Sequence, residues 1–482
     1  MLTKHIDLMV KGVFLKIKII KKLLYNFINK LIKKKKIDTV YIDHFYPAKK
    51  YKKQKTIPYN FFQTYKSYKV DNEFDLRFSK FRLENPEYNY YFFDDIEMDS
   101  YMEKNWSHRK IYQIYKDSIF GASKADIWRY CILYEYGGIY LDFDSSIEFN
   151  LNIIPDNAEE FISFEQNKVS SQITKEYTPD YEFLSNLPNK HKEIIHPENL
   201  IIQWLLIYKK NHPILMSVIE EIEKNYEFFL GRKFKSAHLA IVNFTAPVIL
   251  TKVVWDYVLK NNKIYQTNID FESKVTFKNF SKKGVYFNDS DYYKNYSNTE
   301  ILLNNPIRLN LGCGNDVKSL YINIDAVKNH KDVLLIDINN LKKHFEDRTV
   351  QEIYAKDVLE HVGLPTAKKW VSDWSNLLKP GGILTITTTC LDLIVDAYKK
   401  KIINEEKLNY LLFAGVFWEN GRSNWDDKKT TQYDWHKVCF SKNQLKDLLL
   451  NNGLIIISEK YDKIEKKNIN GLNQTIKAKK IK

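Results

Sequence analysis

The chain has 482 residues, enough for more than one domain, and its 44% apolar content is that of a globular protein. A formal net charge of +14 suits a polyanionic partner, yet no helix-turn-helix, zinc-finger or aromatic RNA-binding signature is present, so nucleic acid is not expected. Cys131, Cys313, Cys390 and Cys439 are scattered without a C-x-x-C, which argues against a disulfide framework or a zinc site and for a reducing, cytoplasmic compartment.

In chain order, residues 8–36 form a basic amphipathic segment. Val10, Phe14, Ile17, Ile20, Leu24, Phe27 and Leu31 fall at helical spacing, with Lys11, Lys18 and Lys22 off that line. No apolar run reaches the roughly 20 residues that span a bilayer. Two readings stay open: a helix lying on the inner face of an anionic membrane, or one packed on the catalytic domain with a solvated lysine face. A charged linker closes this segment at residue 55. Residues 57–62 then read as a strand, 74–83 as a helix and 88–93 as a strand, with Asp94-Asp95 capping the next helix.

Residues 120–146, FGASKADIWRYCILYEYGGIYLDFDSS, carry the densest signal. Ile127, Tyr130, Cys131 and Tyr134 give residues 123–136 one apolar helical face, and Gly137-Gly138 ends that helix. The strand that follows, 139–143, alternates so that Asp142 and Asp144 share a face opposite Phe143. Two carboxylates so placed can share one hard cation, Mg²⁺ or Mn²⁺, as a departing diphosphate requires. Asp126 and Arg129 are i, i+3 neighbours that could grip sugar hydroxyls and a phosphate. Alternatively, Ser123-x-x-Asp126 is a capping box, and Asp126 then serves the backbone.

The full string resembles the DXD-containing sugar-transferase region of glycosyltransferases with a GT-A fold. The matching residues are Ala122-Ser123, Asp126, Arg129, Tyr130, Leu133, Gly137-Gly138, Tyr140, Asp142 and Asp144. The resemblance implies that Asp142 and Asp144 hold the metal–nucleotide, that Asp126 and Arg129 contact the donor sugar, and that transfer retains configuration. It also implies that the first strand, around Ile57 with Gln63 and Thr64, lines the nucleotide base. Further on, 160–165 reads as a strand, 170–192 as a loop, and 198–226 as two helices broken at Asn211-His212-Pro213. Phe244-Thr245-Ala246-Pro247 resembles a turn of the same family. From 252 to 300 only one helix and a strand at 285–287 are expected, so the first domain is placed at 56–302.

Residues 303–306 read as a joint, opening a second domain at 303–465. A buried strand runs into Gly312 and Gly314, whose lack of a side chain lets a ligand approach the backbone. Strands at 321–325 and 333–337 end in Asp325, suited to a ribose diol, and Asp337, suited to an adenine amine. Leu378-Lys379-Pro380-Gly381-Gly382 precedes a strand at 383–387. This series, with Asp357-Val358-Leu359-Glu360-His361-Val362 and His436-Lys437 before Phe440-Ser441, resembles class I S-adenosylmethionine-dependent methyltransferases of polysaccharide-cluster type. It implies that Gly312, Gly314, Asp325 and Asp337 line the cofactor.

Gly314 and Asp325 are eleven positions apart, too close for a full helix between strands and for the spacing of about 20 that a dinucleotide fold uses. No D/N-P-P-Y string follows strand four, which favours a hydroxyl acceptor. His361 and His436 are candidate bases or, equally, packed histidines. Residues 466–482 are expected as a frayed basic tail.

The fold class expected is therefore α/β: a GT-A Rossmann-like domain followed by a class I methyltransferase domain. The expected enzyme is bifunctional, using a nucleotide-sugar, Mn²⁺ or Mg²⁺, and S-adenosylmethionine on a glycan or lipid-linked glycan. The alternatives are a toxin-like transferase acting on protein, or a glycan- or nucleotide-binding protein without turnover.

Overall fold

A computed structural model describes residues 39–481, apart from 54, 148, 187–192, 261, 268–274, 278–292, 328–329, 414–434 and 466–471. The basic segment at 8–36 and the strand expected at 285–287 lie outside the described residues.

The first domain runs through β1 (Phe45–Tyr46), β2 (Asn60–Thr64), α1 (Asn72–Glu84), β3 (Asn89–Phe93), α2 (Asp95–Trp106), α3 (Lys110–Asp117), α4 (Gly121–Tyr136), β4 (Gly138–Leu141), β5 (Leu205–Tyr208), α5 (Pro213–Phe229), α6 (Ala237–Phe244) and α7 (Pro247–Leu259). The sheet order is β5-β4-β2-β3-β1. β2 pairs parallel with both β3 and β4, and the outer strands pair antiparallel. Strand order thus reverses between β2 and β4, the place where open α/β sheets bind ligands at their carboxyl ends.

Local signals account for much of this. Asp94 caps α2, its side chain accepting from the Glu97 amide, as its position predicts. Gly137 and Gly138 both sit at positive φ, and a Cβ on Gly138 would lie 2.3 Å from the Asn60 carbonyl, so the helix-to-strand turn needs glycine. Phe143, in the turn after β4, stacks between Tyr65 and Phe74, with ring centroids 4.0 and 4.1 Å away.

Several expectations fail here. The strand expected at 139–143 ends at Leu141, and Asp142, Phe143 and Asp144 lie in a turn closed by the Ser145 amide donating to the Asp142 carbonyl at 3.1 Å. Tyr181–Asn186, within the expected loop, is a helix, and β1 falls in the segment expected as linker. The first strand begins at Asn60, so Ile57 precedes it. Residues 199–201 and 205–208 are strands and not helix. Every residue of β5 is buried, and an apolar run covered on both faces has no periodicity to separate strand from helix; antiparallel pairing with β4 decides. Among the described residues one stretch is long and apolar enough to cross a bilayer, Ala237–Leu259, and its most apolar part is mostly buried in this core.

The second domain runs through β6 (Ile307–Leu311), β7 (Ile322–Asp325), β8 (Val333–Leu335), β9 (Val350–Lys356), α8 (Leu364–Leu377), β10 (Leu378–Thr389), α9 (Leu391–Lys399), α10 (Glu405–Phe413), α11 (Lys442–Leu450), β11 (Leu454–Tyr461) and β12 (Asn473–Lys480). Its sheet order is β8-β7-β6-β9-β10-β12-β11, with β12 antiparallel to both neighbours and the first five strands parallel. Asn473–Lys480, expected to be frayed, is an interior strand: Gln474, Ile476 and Ala478 alternate into the core, and burial of that face outweighs the lysines between them. As the spacing predicts, no helix forms between β6 and β7. The buried amides of Asn310 and Asn323 hold that short connection instead, bonding each other at 2.8 Å, the Asp316 carbonyl at 2.7 Å and the Lys318 amide at 2.9 Å.

Candidate active sites

The first site lies at the carboxyl end of β4. Arg129, on α4, is 4% exposed, and its guanidinium sits 3.0 Å from Asp142 Oδ1 and 3.1 Å from Asp126 Oδ1. It donates to the Gln203 carbonyl at 3.0 Å and covers the Tyr140 ring at 4.5 Å. The Tyr140 hydroxyl donates to Asp142 Oδ1 at 2.6 Å. Both ties to Asp142 fall on Oδ1, so its second oxygen is the one that could take a cation. Asp126 accepts from Gln203 Nε2 at 3.0 Å and from Thr245 Oγ1 at 2.8 Å. Burial pushes the Asp126 carboxyl up to about 6 against the pull of Arg129. Burial and then the Asp142 charge push Asp144 up to about 7, the behaviour of two carboxylates crowded together.

The capping-box reading of Asp126 is excluded by this geometry. The helix begins at Gly121 with Phe120 at its N-cap, two residues before Ser123, and the Asp126 carboxylate is taken up by Gln203, Thr245 and Arg129. Ile57 does not reach the site. It lies in the core, before the amino end of β2, whereas Asp142 follows the carboxyl end of the parallel strand β4. Gln203 was missed. Its signal was a single polar residue inside the apolar run Leu200-Ile201-Ile202-Gln203-Trp204-Leu205.

The second site lies at the carboxyl ends of β6, β7 and β9. The Gly314 amide donates to Asp325 Oδ2 at 2.7 Å, and the Val327 amide to Asp325 Oδ1 at 2.9 Å. A Cβ on Gly312 would meet Val358 at 2.5 Å, so the glycine turn packs against the loop after β9. That loop brings His361 to His436, with ring centroids 5.1 Å apart. The contact is set by the Glu360 carbonyl, which accepts from the Lys437 and Val438 amides at 2.7 and 3.2 Å. Burial and the neighbouring His361 push His436 down, favouring a neutral imidazole. Asp337 stands apart from these groups: it is exposed, two residues beyond β8, and caps a short 3₁₀ turn by accepting from the Asn339 amide at 2.9 Å.

Comparison with known proteins bears on this geometry. Residues 71–161 match the family described as the glycosyltransferase sugar-binding region containing a DXD motif. Asp142 and Asp144, with Asp126 and Arg129 beside them, fall inside that match. This segment is similar to a DXD sugar-binding region. Initiation-specific alpha-1,6-mannosyltransferase of Candida albicans is 27% identical over 250 residues, covering 46% of this chain and 61% of that protein. The Schizosaccharomyces pombe protein of the same name is 24% identical over 189 residues, 38% of this chain and 44% of that one. The chain therefore spans less than two thirds of either relative. Among solved structures, a methyltransferase from Methanosarcina mazei is 17% identical with a TM-score of 0.27, covering 36% of this chain and 92% of that one. One from Archaeoglobus fulgidus is 14% identical with a TM-score of 0.24, covering 36% and 86%.

Two carboxylates, Asp142 and Asp144, follow the end of β4 and fit a hard divalent cation by donor chemistry. Asp142 is oriented by Tyr140 and Arg129, and the turn that carries Asp144 is anchored by Phe143 against Tyr65 and Phe74. The DXD region and the Rossmann-like second sheet are fused in one chain.

Proposed function

We propose that this chain is a bifunctional glycan-modifying enzyme. Its first domain transfers a sugar from a nucleotide-sugar to a glycan acceptor, with retention, and its second methylates a sugar hydroxyl from S-adenosylmethionine. The observation that carries the first half is the Asp126–Arg129–Asp142 chain at the strand-order reversal, with Asp144 two residues further on in the turn after β4. Mn²⁺ or Mg²⁺ held by Asp142 and Asp144 would neutralise charge growing on the departing diphosphate. Arg129 fixes Asp142 in place; Asp126, closed off by Gln203 and Thr245, sets the guanidinium and so positions the site instead of gripping sugar hydroxyls itself. The mannosyltransferase relatives make nucleotide-activated mannose the first donor to test.

The second half rests on the Gly312–Gly314 turn tied to Asp325 and on the His361–His436 pair after the neighbouring strand. S-adenosylmethionine bound there supplies an electrophilic methyl group. His436, whose imidazole burial keeps neutral, or His361 beside it would accept the hydroxyl proton. The membrane reading of residues 8–36 belongs to the same proposal, with the acceptor carried on lipid.

The test uses the full chain with a donor panel and labelled S-adenosylmethionine. Asp142→Asn and Asp144→Asn are each expected to abolish sugar transfer and to leave cofactor binding by the second domain intact. Full transfer by either variant, or transfer in excess chelator, overturns the metal-dependent reading. Sugar hydrolysis or binding without any transfer to glycan would favour the protein-acceptor or binding-protein alternatives.

A further inference from the structure

The second sheet has two unlike faces. Leu309, Ile353, Leu384 and Ile476 build an apolar face that shares one core with α8 and α11. One residue along each strand lie Arg308, Glu352, Thr385 and Lys477, which are polar. A parallel sheet covered by its own helices on both sides reads as near-continuous apolar runs, so this alternation is unusual. The polar face is nevertheless buried, with Arg308 4% and Lys477 7% exposed. What covers it is α2 and α3 of the first domain. Lys477 donates to Asp99 at 2.6 Å, Arg308 to Asp117 at 2.7 Å, and Lys116 to Glu352 at 3.0 Å.

The same helices reach the connection between β6 and β7, where a doubly wound domain would place its own helix. Lys318, in that connection and 7% exposed, donates to both carboxylate oxygens of Glu103, at 2.7 and 2.8 Å. The Lys116 ammonium donates to the Tyr321 hydroxyl at 2.8 Å. From Lys318 the path to the glycine turn is short. The Lys318 amide bonds Asn323, Asn323 bonds Asn310, and Asn310 holds the Asp316 carbonyl, while the Asp316 amide returns to the Cys313 carbonyl at 2.7 Å.

We propose that the first domain supplies the missing helical layer of the second, and that Glu103 is a positioning residue for the second domain's cofactor turn. This rests on the reading of Gly312, Gly314 and Asp325 as a nucleoside-binding turn. Without Glu103 a nearly buried ammonium loses its partner, and the connection that carries Gly314 loses its outer anchor. Methyl transfer in this chain then depends on a glutamate of the sugar-transferring domain, although the two active sites share no residue.

The test is made on the full chain. In Glu103→Gln the Kd for S-adenosylmethionine is expected to rise at least about tenfold. Methyl transfer at saturating cofactor, and sugar transfer, should be unchanged. Amides at 315–321 should exchange hydrogen faster. Glu103→Gln and Lys318→Met should also be non-additive when combined, as for a coupled pair. Where Glu103→Gln does not accumulate as folded protein, Glu103→Asp, one methylene shorter, takes its place. Faster exchange in a chain whose parent binds no S-adenosylmethionine would keep the anchoring role and remove the cofactor reading. Unchanged affinity and unchanged exchange overturn the inference.

Discussion

Arg129 is the residue on which the first site turns. It is nearly fully buried, and a buried guanidinium survives only with its donors engaged. Asp126, Asp142 and the Gln203 carbonyl engage them. Asparagine would have replaced aspartate readily at a helix cap, but Asp126 is no cap. Asp126→Asn is therefore expected to cost about 3 kcal/mol, the size of a broken buried pair, in urea denaturation. A loss below about 1 kcal/mol would leave the carboxylate no part in holding Arg129. Tyr140→Phe removes only the 2.6 Å bond to Asp142. It should cost about 1–2 kcal/mol in stability, and it should raise the metal concentration needed for half-maximal transfer, read by titrating Mn²⁺. At this scale the sequence was legible where chemistry and spacing coincide, as at Asp142 and Asp144. It was silent on Thr245 as the Asp126 partner, because 119 positions separate them.

At the scale of elements, the DXD strand is held from behind. Phe143 lies between Tyr65 and Phe74 with near-parallel rings, joining the strand end to α1. Phe143→Ala should destabilise the chain by about 3–5 kcal/mol, and Phe143→Leu by clearly less, measured by thermal and urea unfolding. Because Asp142 and Asp144 flank the cavity so made, the alanine chain should also lose transfer activity below its melting temperature. Alternation over 139–143 suggested a strand through Phe143, but the strand ends at Leu141 and Phe143 is held in the turn beyond it. The same alternation was present in β12 and went unread, since lysines at 477, 479 and 480 suggested a solvated tail. Lys477 is instead buried against Asp99, on the first domain.

At the scale of the whole molecule, the two domains share a charged and buried interface. Burial alone would raise the Glu352 carboxyl, but Lys116 and Arg308 outweigh it and hold it at about 2, below its ordinary 4.5. On acidification the unfolded chain takes up this proton first, so the stability the pair provides is complete above about pH 5 and is lost as pH falls toward about 2. Glu352→Gln should lower stability at neutral pH and flatten its decline between about pH 5 and 3, measured as urea midpoints. Calorimetry of the parent chain should show one cooperative transition, because breaking the interface would strand buried charge on both sides. Two separate transitions would show that the domains unfold independently.

The sequence by itself determined what depends on neighbours along the chain. The Asp94 cap, the glycine turn after α4 and the shortened connection before Asp325 all follow from spacing of a few residues and the stereochemistry of helix and strand. Tertiary structure decided the rest. It made strands of residues 199–208, drew Asn473–Lys480 into the second sheet, removed Ile57 from the site and closed Gln203 and Thr245 around Asp126. It also placed the first domain's acidic and basic helices on the polar face of the second sheet. These outcomes turn on partners from tens of positions to 378 positions apart, whose burial and charge matching exist only once the chain has closed on itself.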